Sequence, residues 1–356
     1  MSIRVVDVPR LQKGADPPPV VADIGELSRR SRLALTGDDD LADPAPMLAV
    51  ALAEQGYRRK LVLVAYDAAR PVGALWLGLP LKDNLTSAHG EVLVDPEAAP
   101  GVILPALWDH ARRRLSQEGR SVVQLVSLHR STTDGEHRAP RTGVGRLPVD
   151  PMTTALEGLG FVLEQVEQHR VLEVAPALGV AEVAGPRARE VAGTAYRTLS
   201  WVGRTPPEHL DGLAALLARL STDAPLGELQ VELESWDAQR VAEHERMGAE
   251  MGRELVTTVA QHVATGELVA FTQLDRPLDK PVMAFQAGTL VVREHRGHRL
   301  GMLVKAVNLH QLAELAPSVR RVHTWNAGEN AHMLAINVAL GFQERGAGGT
   351  WQLTGV

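Results

Sequence analysis

The tripeptide Leu-Gly-Phe occurs twice, at 159–161 and at 340–342, and the residues ahead of each copy repeat one order of elements. A chain built this way folds as two versions of one plan. In the first half, Leu61–Tyr66 and Pro71–Leu77 read as strands joined by the turn 67–70, and Glu91–Val94 as a third strand ending at Asp95-Pro96. Val102–Gln117 carries helical spacing, Ser121–Leu128 is a strand, and 130–148 is a loop without periodicity. Thr153–Leu159 is a short helix stopped by Gly160, and Phe161–Val174 a closing strand or hairpin. The second half repeats this: strands Leu255–Val263, Glu267–Leu274 and Met283–Val292, helix Gly301–Leu315, strand Val319–Trp325, helix Asn330–Leu340. Gly90–Val94 answers Gly288–Val292. Single helices between strands predict an α/β (layered α+β) architecture in each half. Pro176–Gly193, rich in Ala, Gly and Pro, reads as a linker, which sets the boundaries at 1–178, 179–193 and 194–356. A length of 356 residues is too great for one ordinary core and suits two.

Composition removes several classes of function. There is no cysteine, hence no disulfide, no thiol nucleophile and no Cys-ligated metal. The net charge of −6 and the 4% aromatic share oppose a nucleic-acid binder. No apolar h-region follows the N-terminal charges and no apolar run approaches a membrane span, so a cytoplasmic protein without membrane or nucleic-acid partners is expected, as monomer or homodimer. His295, His298, His310, His323 and His332 suggest a metal, but Arg296 and Arg299 lie among them and would oppose a dication, so none is expected. No Gly-x-Ser-x-Gly elbow supports a serine hydrolase.

The stretch Leu290-Val-Val-Arg-Glu-His-Arg-Gly-His-Arg-Leu-Gly-Met302 takes a strand through a basic, glycine-bearing loop into a helix. Gly297 and Gly301 let backbone N–H groups turn inward, the positive end of the helix faces the same point, and Arg296 and Arg299 add charge suited to pyrophosphate. The expected ligand is a phosphate ester; the other reading of the loop is a helix-capping turn with solvated arginines. A P-loop is excluded by the missing Gly-Lys-Ser/Thr, and a dinucleotide fingerprint by the late position of the loop in its half. In the first half the aligned segment Ala99–Leu104 has one glycine, no arginine, and Pro100 in place of a donor.

These residues resemble the GNAT superfamily of N-acetyltransferases, whose cofactor loop reads Gln/Arg-x-x-Gly-x-Gly/Ala. Arg296-Gly297-His298-Arg299-Leu300-Gly301 follows that pattern except at Arg299, and Thr324-Trp325-Asn326, Asn330 and Leu340-Gly341-Phe342 follow in the family's order. The resemblance covers 196–353 well and 60–175 more weakly. It implies two tandem GNAT-like domains, each a mixed, mostly antiparallel sheet with helices on both faces, the first a degenerate copy.

It further implies an acyl-CoA, acetyl-CoA above all, lying between two splayed strands. Leu290, Val291 and Val292 would give it main-chain hydrogen bonds, and Arg296, Gly297, His298, Arg299, Leu300, Gly301 and Met302 would wrap the pyrophosphate. Asn326, Asn330, Met333 and Asn337 would line the acyl-bearing arm. The reaction implied is acyl transfer to the primary amine of a small molecule, without a covalent enzyme intermediate. Two residues depart from the pattern: the middle glycine is Arg299, and Asn337 stands where many members carry a tyrosine acid. Gln286 stands where relatives often hold a carboxylate base, so Asp223 and Glu234, in the acidic stretch before the second hairpin, are the candidate proton acceptors. An acyl-CoA sensor without turnover is the alternative to an enzyme.

Overall fold

The computed structural model describes residues 3–132, 134–223 and 227–356, with 221–223 described by their backbone alone. The first half runs β1 (Ile3–Asp7), α1 (Pro19–Thr36), α2 (Ala45–Ala53), β2 (Arg58–Asp67), β3 (Arg70–Pro80), β4 (Ser87–Val94), α3 (Pro100–Gln117) and β5 (Val122–Arg130). A two-residue hairpin, β6 (His137–Arg138) and β7 (Leu147–Pro148), stands inside the expected loop; α4 (Pro151–Gly158) and β8 (Val162–Glu173) follow. The second half runs α5 (Val174–Ala192), β9 (Tyr196–Val202), α6 (Leu210–Asp223), α7 (Ala238–Glu250), β10 (Arg253–His262), β11 (Leu268–Pro277) and β12 (Met283–Val291). It closes with α8 (Leu300–Leu315), β13 (Arg321–Ala327), α9 (Ala331–Leu340) and β14 (Gln343–Thr354).

The expected layered α/β class holds, but the two sheets are one. Twelve strands run in the order β1-β2-β3-β4-β5-β14-β8-β13-β12-β11-β10-β9. Each half therefore gives its last strand to the other: β14 pairs with β5, and β8 pairs with β13. The exchange reaches the cores. Trp351 of β14 is wholly buried among Leu63, Leu107 and Leu125 of the first half, and Leu172 of β8 packs with Leu309 and Phe342 of the second. Among the described residues only β4/β5 and β12/β13 are parallel pairs, each bridged by one α-helix.

The segment expected as a linker is the helix α5. Its small residues Ala177, Ala181, Gly185, Ala188 and Ala192 are buried, and a Cβ built on Gly185 would stand 3.3 Å from the Ala306 Cβ. Alanine and glycine spaced three or four apart let two helices approach closely, and here they carry α5 onto α8. The composition read as flexibility is a packing stripe.

Alternating strand residues divide the helices between the faces. Val62 and Val64 point to α1 and α2, while Leu63 and Ala65 point to α3. On the face of α1, α2, α6 and α7 the halves reach across each other: Asp40, after α1, meets Arg321 and His323 of β13, and the Gln230 carbonyl accepts from Gln124 Nε2 of β5.

Candidate functional site

Parallel strands β12 and β13 pair only at Met283/Arg321, Ala284/Val322 and Phe285/His323, then part. The parting coincides with a bulge at Ala287, where Gln273 and Leu274 of β11 face Gly288 and Gln286. The equivalent strands β4 and β5 stay paired over five residues, Ser87/Val122 to Glu91/Val126, and β4 follows β3 without a bulge. A cleft thus opens in the second half earlier than in the first.

Its mouth is the basic loop. Arg299 occupies the N-cap of α8 in the left-handed region (φ 54°) and makes no side-chain cap, so the first-turn amides face the loop without one. Gly297 is also left-handed (φ 88°), with open space where a Cβ would stand. Arg296, Gly297, His298 and Arg299 are exposed, and Arg296 Nε donates to the Val291 carbonyl at 3.1 Å. Leu300 is buried in the core and Met302 packs against it, so these two offer backbone rather than side chains to a ligand. A Cβ on Gly301 would meet Ile336 Cδ1 at 2.9 Å: this glycine admits α9 beside α8 at the cleft wall. These donors fit an anionic diphosphate, and the open strand edge fits a pantetheine-like arm.

The strand contacts differ from expectation. The Val292 amide donates to Val269 O and its carbonyl accepts from the His295 amide, so its main chain is spent inside the protein. Antiparallel alternation commits Leu290 to β11 as well, and turns Val291 and Thr289 toward the cleft. Thr289, which sequence reasoning missed, thus joins Val291 as a residue whose main chain faces the cleft, while Leu290 and Val292 do not.

On the opposite wall Asn337 is fully buried on α9 and donates through Nδ2 to Asn326 Oδ1 of β13 at 2.6 Å; its own Oδ1 has no hydrogen-bond partner. Asn330 is the N-cap of α9, accepting from the Met333 amide at 3.2 Å, so its side chain is a cap rather than a lining group. Met333 is half-buried on the same helix. None of the three tyrosines stands in for the missing acid: Tyr196 Oη lies 2.9 Å from His295 Nδ1, Tyr66 donates to Asp23, and Tyr57 lies beneath Lys82 and Arg240.

Of the proposed carboxylates, Asp223 ends α6 and its side chain lies outside the described residues. Glu234 accepts from Trp236 Nε1 at 2.8 Å and from Arg240 at 3.4 Å. It lines a cavity of about 220 Å³ between the halves, with Tyr57, Lys60 and Asp83 of the first and Trp236 and His244 of the second. Burial draws the Lys60 ammonium down to about 8 and lowers the His244 imidazole. Of the expected wall 222–237, Glu234 and Trp236 line this cavity, and the Glu234 carboxylate is already held by neighbours.

A chain of side chains not anticipated from sequence stands beside the foot of the cleft. Asp40 Oδ2 lies 3.0 Å from His323 Nε2, and His323 Nδ1 lies 3.0 Å from His169 Nε2, whose ring stacks on Trp325 at 4.6 Å. Burial, with His323 and Arg345 nearby, draws His169 down to about 3, so its ring is neutral at neutral pH. Elsewhere, Ser127 Oγ lies 2.6 Å from His129 Nε2 and His129 Nδ1 lies 2.7 Å from Asp150, the order of a hydrolytic triad. Ser127 is 1% exposed and already accepts from Trp351 Nε1, which makes this a packed network rather than a nucleophile. Among the described residues no three His, Cys, Asp or Glu side chains converge as a metal site, and no helix is long and apolar enough to cross a membrane.

No family model matches the chain, and no curated protein does. Solved structures do. A tandem GNAT protein from the clavulanic acid biosynthesis pathway, determined without AcCoA, aligns at TM-score 0.73 and 25% identity over 100% of this chain and 99% of its own. A GCN5-related N-acetyltransferase from Sphaerobacter thermophilus aligns at TM-score 0.62 and 11% identity over 98% and 95%. The glucosamine N-acetyltransferase region of a fungal multi-domain β-N-acetylglucosaminidase aligns at TM-score 0.58 and 14% identity, over 99% of this chain and 38% of that one. The fold is that of the GCN5-related N-acetyltransferases. More narrowly it is the tandem form, in which two such units share one chain.

Proposed function

We propose that the second half binds acyl-CoA, acetyl-CoA in the first instance, and transfers the acyl group to the primary amine of a small molecule. One observation carries this reading: the cleft between β12 and β13 opens directly onto an uncapped helix start ringed by Arg296 and Arg299. The first half offers no such mouth. Its β4 runs into Asp95, whose buried carboxylate accepts from Arg30, Arg70 and the Glu97 amide, so these donors are spent on an internal carboxylate.

In the proposed reaction the amine nitrogen attacks the thioester carbonyl, the C–N bond forms, the C–S bond breaks, and the thiol leaves with a proton. The acceptor arrives as its ammonium, and the proton it must lose before attack passes to a carboxylate or to water. The acceptor is assigned to the face of α6 and α7, with Asp223 and Glu234 as the carboxylates that attract the ammonium. A second reading, acyl-CoA binding without turnover, is favoured by Asn337, which cannot protonate a thiolate.

The test is thiol release from acetyl-CoA with a panel of primary amines, beside calorimetric titration of CoA. One CoA per chain and amine-dependent release are expected. Arg296→Ala with Arg299→Ala should abolish both, whereas Asp223→Asn with Glu234→Gln should lower turnover far more than CoA binding. Binding without release for any amine would leave the silent reading; two equivalent CoA sites, or none, would overturn the assignment.

A further inference from the structure

The chain contains a buried lysine that the proposed chemistry does not use. Lys305 lies on α8, is 4% exposed, and donates from Nζ to Gln286 Oε1 at 2.7 Å. Gln286 is the first residue of β12 beyond its last pair with β13. Its Nε2 turns back on the bulge, donating to Gln273 O at 2.6 Å, Thr272 Oγ1 at 3.0 Å and Gly288 O at 3.2 Å. The side-chain amide thus serves the carbonyls that the bulge removes from regular pairing.

An amide can turn over and exchange its oxygen for its nitrogen. With Lys305 as donor on one side, only one orientation satisfies both ends, oxygen to the ammonium and nitrogen to the strand. The first half provides an internal comparison. There the residue two before the matched glycine is Ala88, the sheet-facing residues of α3 are Ile103, Leu104, Leu107 and Ala111, and α3 contains no lysine. The β3/β4 pair, the counterpart of β11/β12, has no bulge, and the parallel strands of that half stay paired for five residues instead of three.

We infer that Lys305 and Gln286 form a wedge that fixes the bulge at Ala287 and holds β12 and β13 apart, which makes Lys305 a positioning residue for the acyl-bearing arm. A bulge bends its strand and ends local pairing, and a site built on a bulge is as rigid as the groups that satisfy it. Burying a lysine is costly, and burial draws Lys305 down to about 7, so an apolar residue would stabilise the fold more at this position. The consequence for ligand binding rests on the acyl-CoA reading above; the wedge itself does not.

The test uses the full chain with Lys305→Met and, separately, Gln286→Glu, which keeps a partner for the lysine but removes the donors to Gln273 and Gly288. Hydrogen exchange followed by mass spectrometry reads 286–292 and 324–328 without any ligand. Both variants should gain protection there as the strands close, and should lose CoA affinity by about tenfold or more. Lys305→Met placed on a Gln286→Leu background should add nothing, since the lysine acts through the amide. Unchanged exchange in either folded variant would overturn the wedge. A wild-type chain that binds no CoA would instead overturn the functional reading, and the exchange data would still decide this one.

Discussion

Asp40 and Arg321 stand 281 residues apart and meet through two hydrogen bonds, Nε to Oδ2 at 2.8 Å and Nη2 to Oδ1 at 3.0 Å. Burial would raise the Asp40 carboxyl, but the hydrogen bonds from His323 and Arg321 outweigh it and hold the group well below the usual carboxylate range. Asp40 belongs to the first half and both partners to β13, so the contact fastens one half to the other. Asp40→Asn should cost about 1–3 kcal/mol, less than the roughly 3–5 kcal/mol of a fully buried broken pair because Arg321 is partly exposed. Urea unfolding measures it; an unchanged midpoint would show the contact to be idle.

The neighbouring His169 makes a prediction about acid. Its folded pKa, about 3, lies below that of a free imidazole, so between roughly pH 6.5 and pH 3 the unfolded chain binds a proton that the folded chain does not. Its contribution is therefore lost as pH falls through that window. The stability difference between wild type and His169→Gln should shrink steadily from pH 6.5 to pH 4. A constant difference would mean that the imidazole titrates normally.

At the loop, Arg299 holds a left-handed conformation that costs an L-residue about 1–2 kcal/mol, against about 0.5–1 kcal/mol of extra unfolded-state entropy for glycine. Arg299→Gly should therefore stabilise the chain slightly, by about 0.5–1 kcal/mol on those terms. It should at the same time weaken CoA binding and flatten its salt dependence. Calorimetric melts and CoA titrations at two ionic strengths check both; tighter CoA binding would show that the guanidinium obstructs the site.

The exchanged strands predict how the halves behave when separated. Residues 1–193 alone lack β14, including Trp351, and residues 194–356 alone lack β8. Each should be insoluble when expressed singly, and co-expression should recover a complex with the circular dichroism of the full chain. Trp351→Ala in the intact chain should cost about 3–5 kcal/mol, as for other large buried aromatics. A soluble, cooperatively melting 1–193 fragment would refute the mutual dependence.

What the sequence made legible followed from local rules. The Gly297–Gly301 loop and the Leu-Gly-Phe helix ends declare themselves because glycine at a left-handed position and a strand-to-helix turn are local events; Gly341, at φ 104°, caps α9 as its spacing implied. The order of strands in a sheet is not local, and nothing in the alternation of β8 or β14 says which β5-type strand each will join. α5 was hidden because an Ala and Gly stripe resembles a linker until α8 is placed against it. Thr289 escaped because which main-chain groups face a cleft depends on a bulge one residue long. His169 and His323 escaped because their partnership crosses from one half to the other.

That crossing bears on the history of the chain. A duplicated unit that loses its ligand loop is ordinarily free to decay or be deleted. Here the first half flanks the second's terminal strand on both edges, and a deletion would leave β14 without either partner. Once two halves have traded strands, neither can be removed without unmaking the other's sheet.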